Sequence, residues 1–177
     1  MKTGASAVPL KFSEIIDTET IQPLMDSLYK ASGIPVGIID SAGEILIATG
    51  WQPICTEFHR KHPGTEARCR ESDCYLKENL RSDRPLPPCG YVEYRCKNGM
   101  IDIAMPIIIE EEYIATLFLG QFFYEPPDED FFRRQAAAFK FDEEAYLKAL
   151  KQVPIFPKEI VKAILEYQVR FVKLLAS

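Results

Sequence analysis

Ile21, Leu24, Met25 and Leu28 recur at i, i+3, i+4 and i+7, the spacing that lays apolar side chains along one face of a helix. Gly33 stands where such a helix stops. Pro23 fits a helix that starts near Thr20, because the first turn has no amide bond to lose. The period then changes. "IPVGIID" and "EILIATG" are apolar runs rich in β-branched residues on either side of "DSAG", in which Asp40 begins a tight turn and Gly43 takes a positive φ. They predict a β-hairpin.

After Trp51 the chain becomes polar and helix-prone, broken by Pro53 and Pro63 and closed by a proline-rich stretch, which predicts two short helices. Strands then resume. "YVEYRC" alternates, "KNG" is a hairpin turn, "MIDIAMPIII" is a long apolar strand, "EEE" turns, and "YIATLFLGQFFY" returns. "PPDEDFFRRQAAAF" and "DEEAYLKALKQV" follow as helices with acidic N-termini. The predicted class is α+β: a five-stranded antiparallel sheet with helices inserted after the second strand and helices at both termini. The expected division is a tail over 1–11, a folded unit over 12–157 and a C-terminal helix over 158–177.

That last helix carries two apolar stripes. Ile160, Ile164, Tyr167, Phe171 and Leu174 keep a 4,3,4,3 spacing, and Val161, Leu165, Val172 and Leu175 run beside them, interrupted by Gln168. Either the helix is buried broadly in its own domain, or one stripe covers the sheet and the other is surplus, with the expectation of a parallel homodimer paired through Val161, Leu165 and Val172. The pattern runs to Ser177 without a Gly or Pro stop, as if a longer protein continued.

Composition narrows the function. With 177 residues, 47% apolar, the chain has material for one core. Twenty-one basic against 26 acidic residues, net −5, with no long basic run, argue against direct contact with nucleic acid. No apolar run approaches the roughly 20 residues of a membrane span, and the start lacks a secretory apolar core, so the cytoplasm is the expected location. There, five cysteines read as free thiols, metal ligands or redox groups rather than a disulfide frame.

Hairpin, helical insertion and three-stranded meander follow the order of a PAS-like sensor. Within it, "GIPVGIIDSAGEIL", Cys55, "CRESD", "YRCKNGMIDIAMPI" and "YIATLFLGQ" together resemble the PocR-type ligand-binding domain, over roughly residues 12 to 172. The resemblance implies a non-catalytic sensory domain of a prokaryotic signalling protein, upstream of a PAS, histidine kinase or DNA-binding output. Its implied ligands are small hydrocarbon derivatives such as propanediol. Cys55, Cys69 and Cys96 match its recurring cysteines, and Gly99, Asp102, Pro106, Gly120 and Gln121 its strand motifs. Lys97 departs from it, because many members carry histidine there. Cys74 and Cys89 are additions.

The candidate ligand-binding residues are Trp51, Tyr94, Asp102 and Gln121. Trp51 opens the insertion, as a pocket wall or as an anchor for the crossing. Asp102 shares a strand face with Met100 and Ala104, opposite Ile101, Ile103 and Met105, and either orients a polar ligand or stands exposed. Gln121 offers a donor and an acceptor to a ligand or to a sheet end. Cys55, Cys69, Cys74 and Cys96 are the candidate metal ligands, four thiolates for a zinc ion or an iron-sulfur cluster. Against that stand inert packing and direct ligand contact. On one helix the five-residue step from Cys69 to Cys74 turns about 140°, so a shared site requires a break, with Ser72 as N-cap of a helix whose first turn holds Cys74. A thiol there, near Arg68 and Arg70, would ionise readily. His59 and His62 are metal ligands or a solvated helix end. The sensor's rival is a thiol-based redox enzyme or redox sensor.

Overall fold

The computed structural model describes residues 12–79 and 90–175. The predicted tail and Cys89 lie outside the described residues, as does the side chain of Cys74. A short helix α1 (Phe12–Ile15) leads into α2 (Thr18–Ser32). Asp17, not Thr20, sets the start of α2: its carboxylate accepts the Glu19 amide at 2.9 Å and the Thr20 hydroxyl at 2.7 Å. Gly33 ends the helix at φ 72°, where a Cβ would be strained. Ile21 and Met25 are buried; Leu24 is exposed.

The predicted hairpin forms as β1 (Val36–Asp40) and β2 (Ile45–Thr49), its turn held by the Glu44 amide donating to Asp40 Oδ1 at 2.8 Å. With β3 (Val92–Arg95), β4 (Ile101–Ile109) and β5 (Glu112–Phe122) it makes a five-stranded antiparallel sheet in the order β2-β1-β5-β4-β3. The fold is α+β and PAS-like. Strand alternation gives the sheet two different faces. One presents Val36, Ile38, Ile103, Met105, Leu117 and Leu119 to α1, α2 and the C-terminal helix α6 (Lys158–Leu175), and burial of each such side chain contributes about 1.5–3 kcal/mol. The other turns Ile39, Asp102, Phe118 and Gly120 toward the segment between β2 and β3.

That segment holds two helices, divided differently from the expectation: a six-residue π-helix (Ile54–His59) and α3 (Pro63–Asn79). Helix α3 runs unbroken through Ser72, whose hydroxyl donates to the Arg68 carbonyl at 2.9 Å instead of capping a new helix. Positions 69 and 74 therefore lie about 140° apart around one helix axis, and the break that a shared site required is absent. Helices α4 (Glu129–Phe139) and α5 (Glu143–Leu150) start on the aspartate caps Asp128 and Asp142. They close a second core with Ile54, Cys55, Met100, Phe123 and Phe132.

The two stripes of α6 exchange their expected roles. Val161, Leu165 and Val172 are 1, 3 and 9% exposed against the sheet, whereas Ile160, Tyr167 and Leu174 are 50, 48 and 71% exposed. The compact aliphatic stripe lets the helix approach the sheet closely, while the Tyr167 and Phe171 rings stack on each other with the Tyr167 hydroxyl free to meet water. Gln168 lies in the buried stripe with neither amide atom partnered. No helix among the described residues is long and apolar enough to cross a membrane.

Candidate functional site

Where the second sheet face meets the inserted helices, a cavity of about 40 Å³ is lined by Trp51, Cys55, Cys69, Tyr94, Cys96, Asp102 and Gln121, together with Arg60, Asp73 and Asn98. Ile39, Arg60, Asp73 and Phe118 are also walls of an outer groove of about 450 Å³. The Arg60–Asp73 ion pair, 3.6 Å apart, stands where the two spaces meet, and its guanidinium lies 5.2 Å over the Trp51 ring. All four expected ligand-binding residues and three of the four expected metal ligands thus border one space.

Asp102 reaches it from the start of β4, paired with Tyr94 on β3 and Gly120 on β5. Its fit requires glycine at 120, since a Cβ there would stand 2.2 Å from Asp102 Oδ1. Burial pushes this carboxyl up to about 7; the Asp73 carboxylate adds to the rise, and Arg60 and a hydrogen bond from the Tyr94 hydroxyl oppose it.

The three thiols among the described residues, Cys55, Cys69 and Cys96, stay protonated at neutral pH. Burial raises Cys55 well above the ordinary thiol value, raises Cys69, and takes Cys96 to about 12. Desolvation of Cys69 outweighs the nearby guanidinium of Arg60. Among the described residues no three His, Cys, Asp or Glu side chains come close enough together to hold a metal ion.

Behind Cys55 lies a buried polar chain. Arg68, which only donates, gives a hydrogen bond to Gln135 Oε1 at 3.0 Å, so Gln135 Nε2 donates to the Tyr146 hydroxyl at 2.7 Å. The hydroxyl proton then goes to His59 Nε2 at 2.6 Å, which leaves the imidazole proton on Nδ1, facing Cys55 Sγ at 3.9 Å. His59 is therefore not at a solvated helix end. It is fully buried, and desolvation lowers it to about 3, so it is neutral. His62 packs edge-on against Phe139 and Phe141.

Sequence reasoning missed Arg60, Asp73 and Asn98. Asn98 read as a turn residue of "KNG"; in the structure the turn tucks under α3, and Nδ2 donates to the Thr65 carbonyl at 3.0 Å and to Cys69 Sγ at 3.2 Å. Its signal was a turn asparagine one residue before Gly99, which takes φ 103°. Lys97 instead reaches outward to Glu71. Three buried polar atoms on the cavity's lining residues have no partner: Arg60 Nε, Asn98 Oδ1 and Gln121 Oε1.

A family model described as the sensory domain found in PocR matches residues 14–177. The chain belongs to the PocR sensory-domain family. A curated relative, the regulatory protein PocR of Salmonella typhimurium, is 30% identical over 108 residues, 60% of this chain. The matched stretch spans about a third of that relative's length, 33%.

Proposed function

We propose that this PocR domain senses a small organic molecule, which binds in the cavity between the sheet and the inserted helices. The observation that carries the reading is that Arg60, Asn98 and Gln121, which line one cavity, each hold a buried polar atom without a partner: Nε, Oδ1 and Oε1. A buried polar atom without a partner costs about 1–3 kcal/mol, and three at one place are balanced when a ligand supplies the missing hydrogen bonds.

The route from ligand to output runs through the buried polar chain. Asn98 and Cys55 touch both the cavity and the His59, Gln135 and Tyr146 network, which ties the insertion to α4 and α5. The chain then passes through Ile155, bridged to Phe123, into α6. On this reading α6 pairs in parallel with α6 of a second copy through Ile160, Ile164, Tyr167, Phe171 and Leu174, placing two outputs of a transcription regulator or histidine kinase side by side. The protonated, buried thiols favour binding over thiol catalysis, which needs a thiolate. A cysteine-held zinc ion or iron-sulfur cluster would require Cys55, Cys69 and Cys96 to draw closer than they stand.

Native mass spectrometry of the protein purified without added ligand tests the reading. A retained small molecule that Gln121→Trp, which puts a bulky ring on the cavity wall, displaces supports it. A ligand retained equally by the folded variant, or a metal as the only bound mass, counts against it.

A further inference from the structure

The lining of the inner cavity is unbalanced in its hydrogen-bonding chemistry. Asn98 is 1% exposed, and because its Nδ2 is committed to the Thr65 carbonyl and Cys69 Sγ, its unpartnered Oδ1 is fixed as an acceptor. Gln121 Oε1 is a second unpartnered acceptor, and the Asp102 carboxyl, 8% exposed, is a third oxygen group on the same wall. Against them, among the buried side-chain atoms of the described residues that line the cavity, stands one unpartnered donor, Arg60 Nε.

Charge is unbalanced in the same sense. The charged groups that border the cavity are Arg60, Asp73 and Asp102, and Arg60 is paired with Asp73. Asp102 accepts a hydrogen bond from Tyr94 and shares the Arg60 charge with Asp73, so two carboxylates face one guanidinium. A buried carboxylate with only a shared counter-charge is costly, and an incoming cation reduces that cost. An ammonium group donates three hydrogen bonds and accepts none, whereas a hydroxyl donates one. Trp51, Tyr94 and Phe118 supply aromatic surface around it.

We infer that the ligand carries a primary ammonium group, received by Asp102, Asn98 and Gln121, and an oxygen acceptor for Arg60 Nε, the chemistry shared by short amino alcohols and amino acids. The inference rests on the sensory reading above and deepens it. The ammonium head occupies the inner cavity, and any longer remainder extends past Arg60 and Asp73 into the outer groove.

Calorimetric titrations with ethanolamine, glycine, ethylene glycol and 1,2-propanediol test it at pH 8. Ethanolamine or glycine should bind at least about tenfold tighter than either diol, a difference of one charge-assisted hydrogen-bond set. Which of the two binds tighter separates a hydroxyl from a carboxylate at Arg60. Asp102→Asn should erase most of that preference, and if it fails to fold, Gln121→Leu should weaken the ammonium compound more than the diols. Diols that bind as tightly as the amines, or a preference that survives both substitutions, would overturn the ammonium assignment and leave the sensor standing. Binding of none of the four compounds would also overturn it, while a different molecule retained in native mass spectra would still support the sensor.

Discussion

Gly120 and Asp102 face each other across β4 and β5 so closely that a Cβ on residue 120 would stand 2.2 Å from Asp102 Oδ1. The glycine makes room for the buried carboxyl. Gly120→Ala should therefore push Asp102 aside and cost about 1–3 kcal/mol in denaturant unfolding. The cost should shrink in the double variant with Asp102→Ala, because the two sites then no longer compete for the same space. Equal costs in both backgrounds would mean that the backbone at 120, not the carboxyl, demands glycine.

Asp102 and His59 should tilt stability with pH in opposite directions. The Asp102 carboxyl is raised from 3.8 to about 7, so the folded protein keeps a proton that the unfolded chain gives up, and stability falls as pH rises through that window. His59 is lowered from 6.5 to about 3, so the unfolded chain takes up a proton that the folded protein refuses, and stability falls as pH drops below about 6.5. Between about 4 and 6.5 the two offset each other. Melting curves of Asp102→Asn against wild type should show the variant gaining relative stability from about pH 5 to pH 8. His59→Gln should gain relative to wild type as the pH falls from about 7 to 5. Flat difference curves would contradict both assignments.

Gln168 sits in the buried stripe of α6 with both amide atoms unpartnered. Replacing it with leucine removes an unsatisfied polar group and adds apolar contact between Val161, Leu165 and Val172, so Gln168→Leu should stabilise the domain by about 1–3 kcal/mol. A more rigid α6 would also transmit less, so signalling in the full-length protein should weaken. An unstable variant would show that the amide is satisfied in solution.

The exposed and buried stripes of α6 make separable predictions. Tyr167→Lys with Leu174→Glu should leave the fold intact and dissociate the proposed dimer in light scattering. Val161→Asp should unfold the domain, because that side chain is 1% exposed in the core. A wild-type chain that stays monomeric at high concentration would contradict the proposed pairing.

Much of the fold was legible because its signals are local. The hairpin around "DSAG", the alternation of β4 and the apolar spacing of α2 each follow from short-range rules, and the order of elements pointed to a PAS-like sheet. Alternation also put Asp102 on the face with Met100 and Ala104, and all three line the site or pack beside it. What failed depended on distant partners. His59 is buried because Tyr146, 87 residues away, and Gln135, 76 residues away, complete its hydrogen bonds. Asn98 left its turn role only when Thr65 and Cys69 came alongside. Both stripes of α6 are apolar, and their spacing contains nothing that says which one meets the sheet. Ser72 resembled a helix cap, yet its hydroxyl donates back to the Arg68 carbonyl and α3 continues through it.

On the proposed function, a small molecule enters the cavity that Trp51 and Asp102 line. Trp51 is the chain's single tryptophan and lies on the cavity wall under Arg60, so indole emission reports that one place. Titration with a panel of two- to four-carbon amino alcohols, amino acids, diols and carboxylates should give a saturable change in Trp51 emission for at least one compound, and Asp102→Asn should weaken it while the melting curve stays cooperative. Emission unmoved by every member of the panel, or a response identical in the Asp102→Asn protein, would contradict the account.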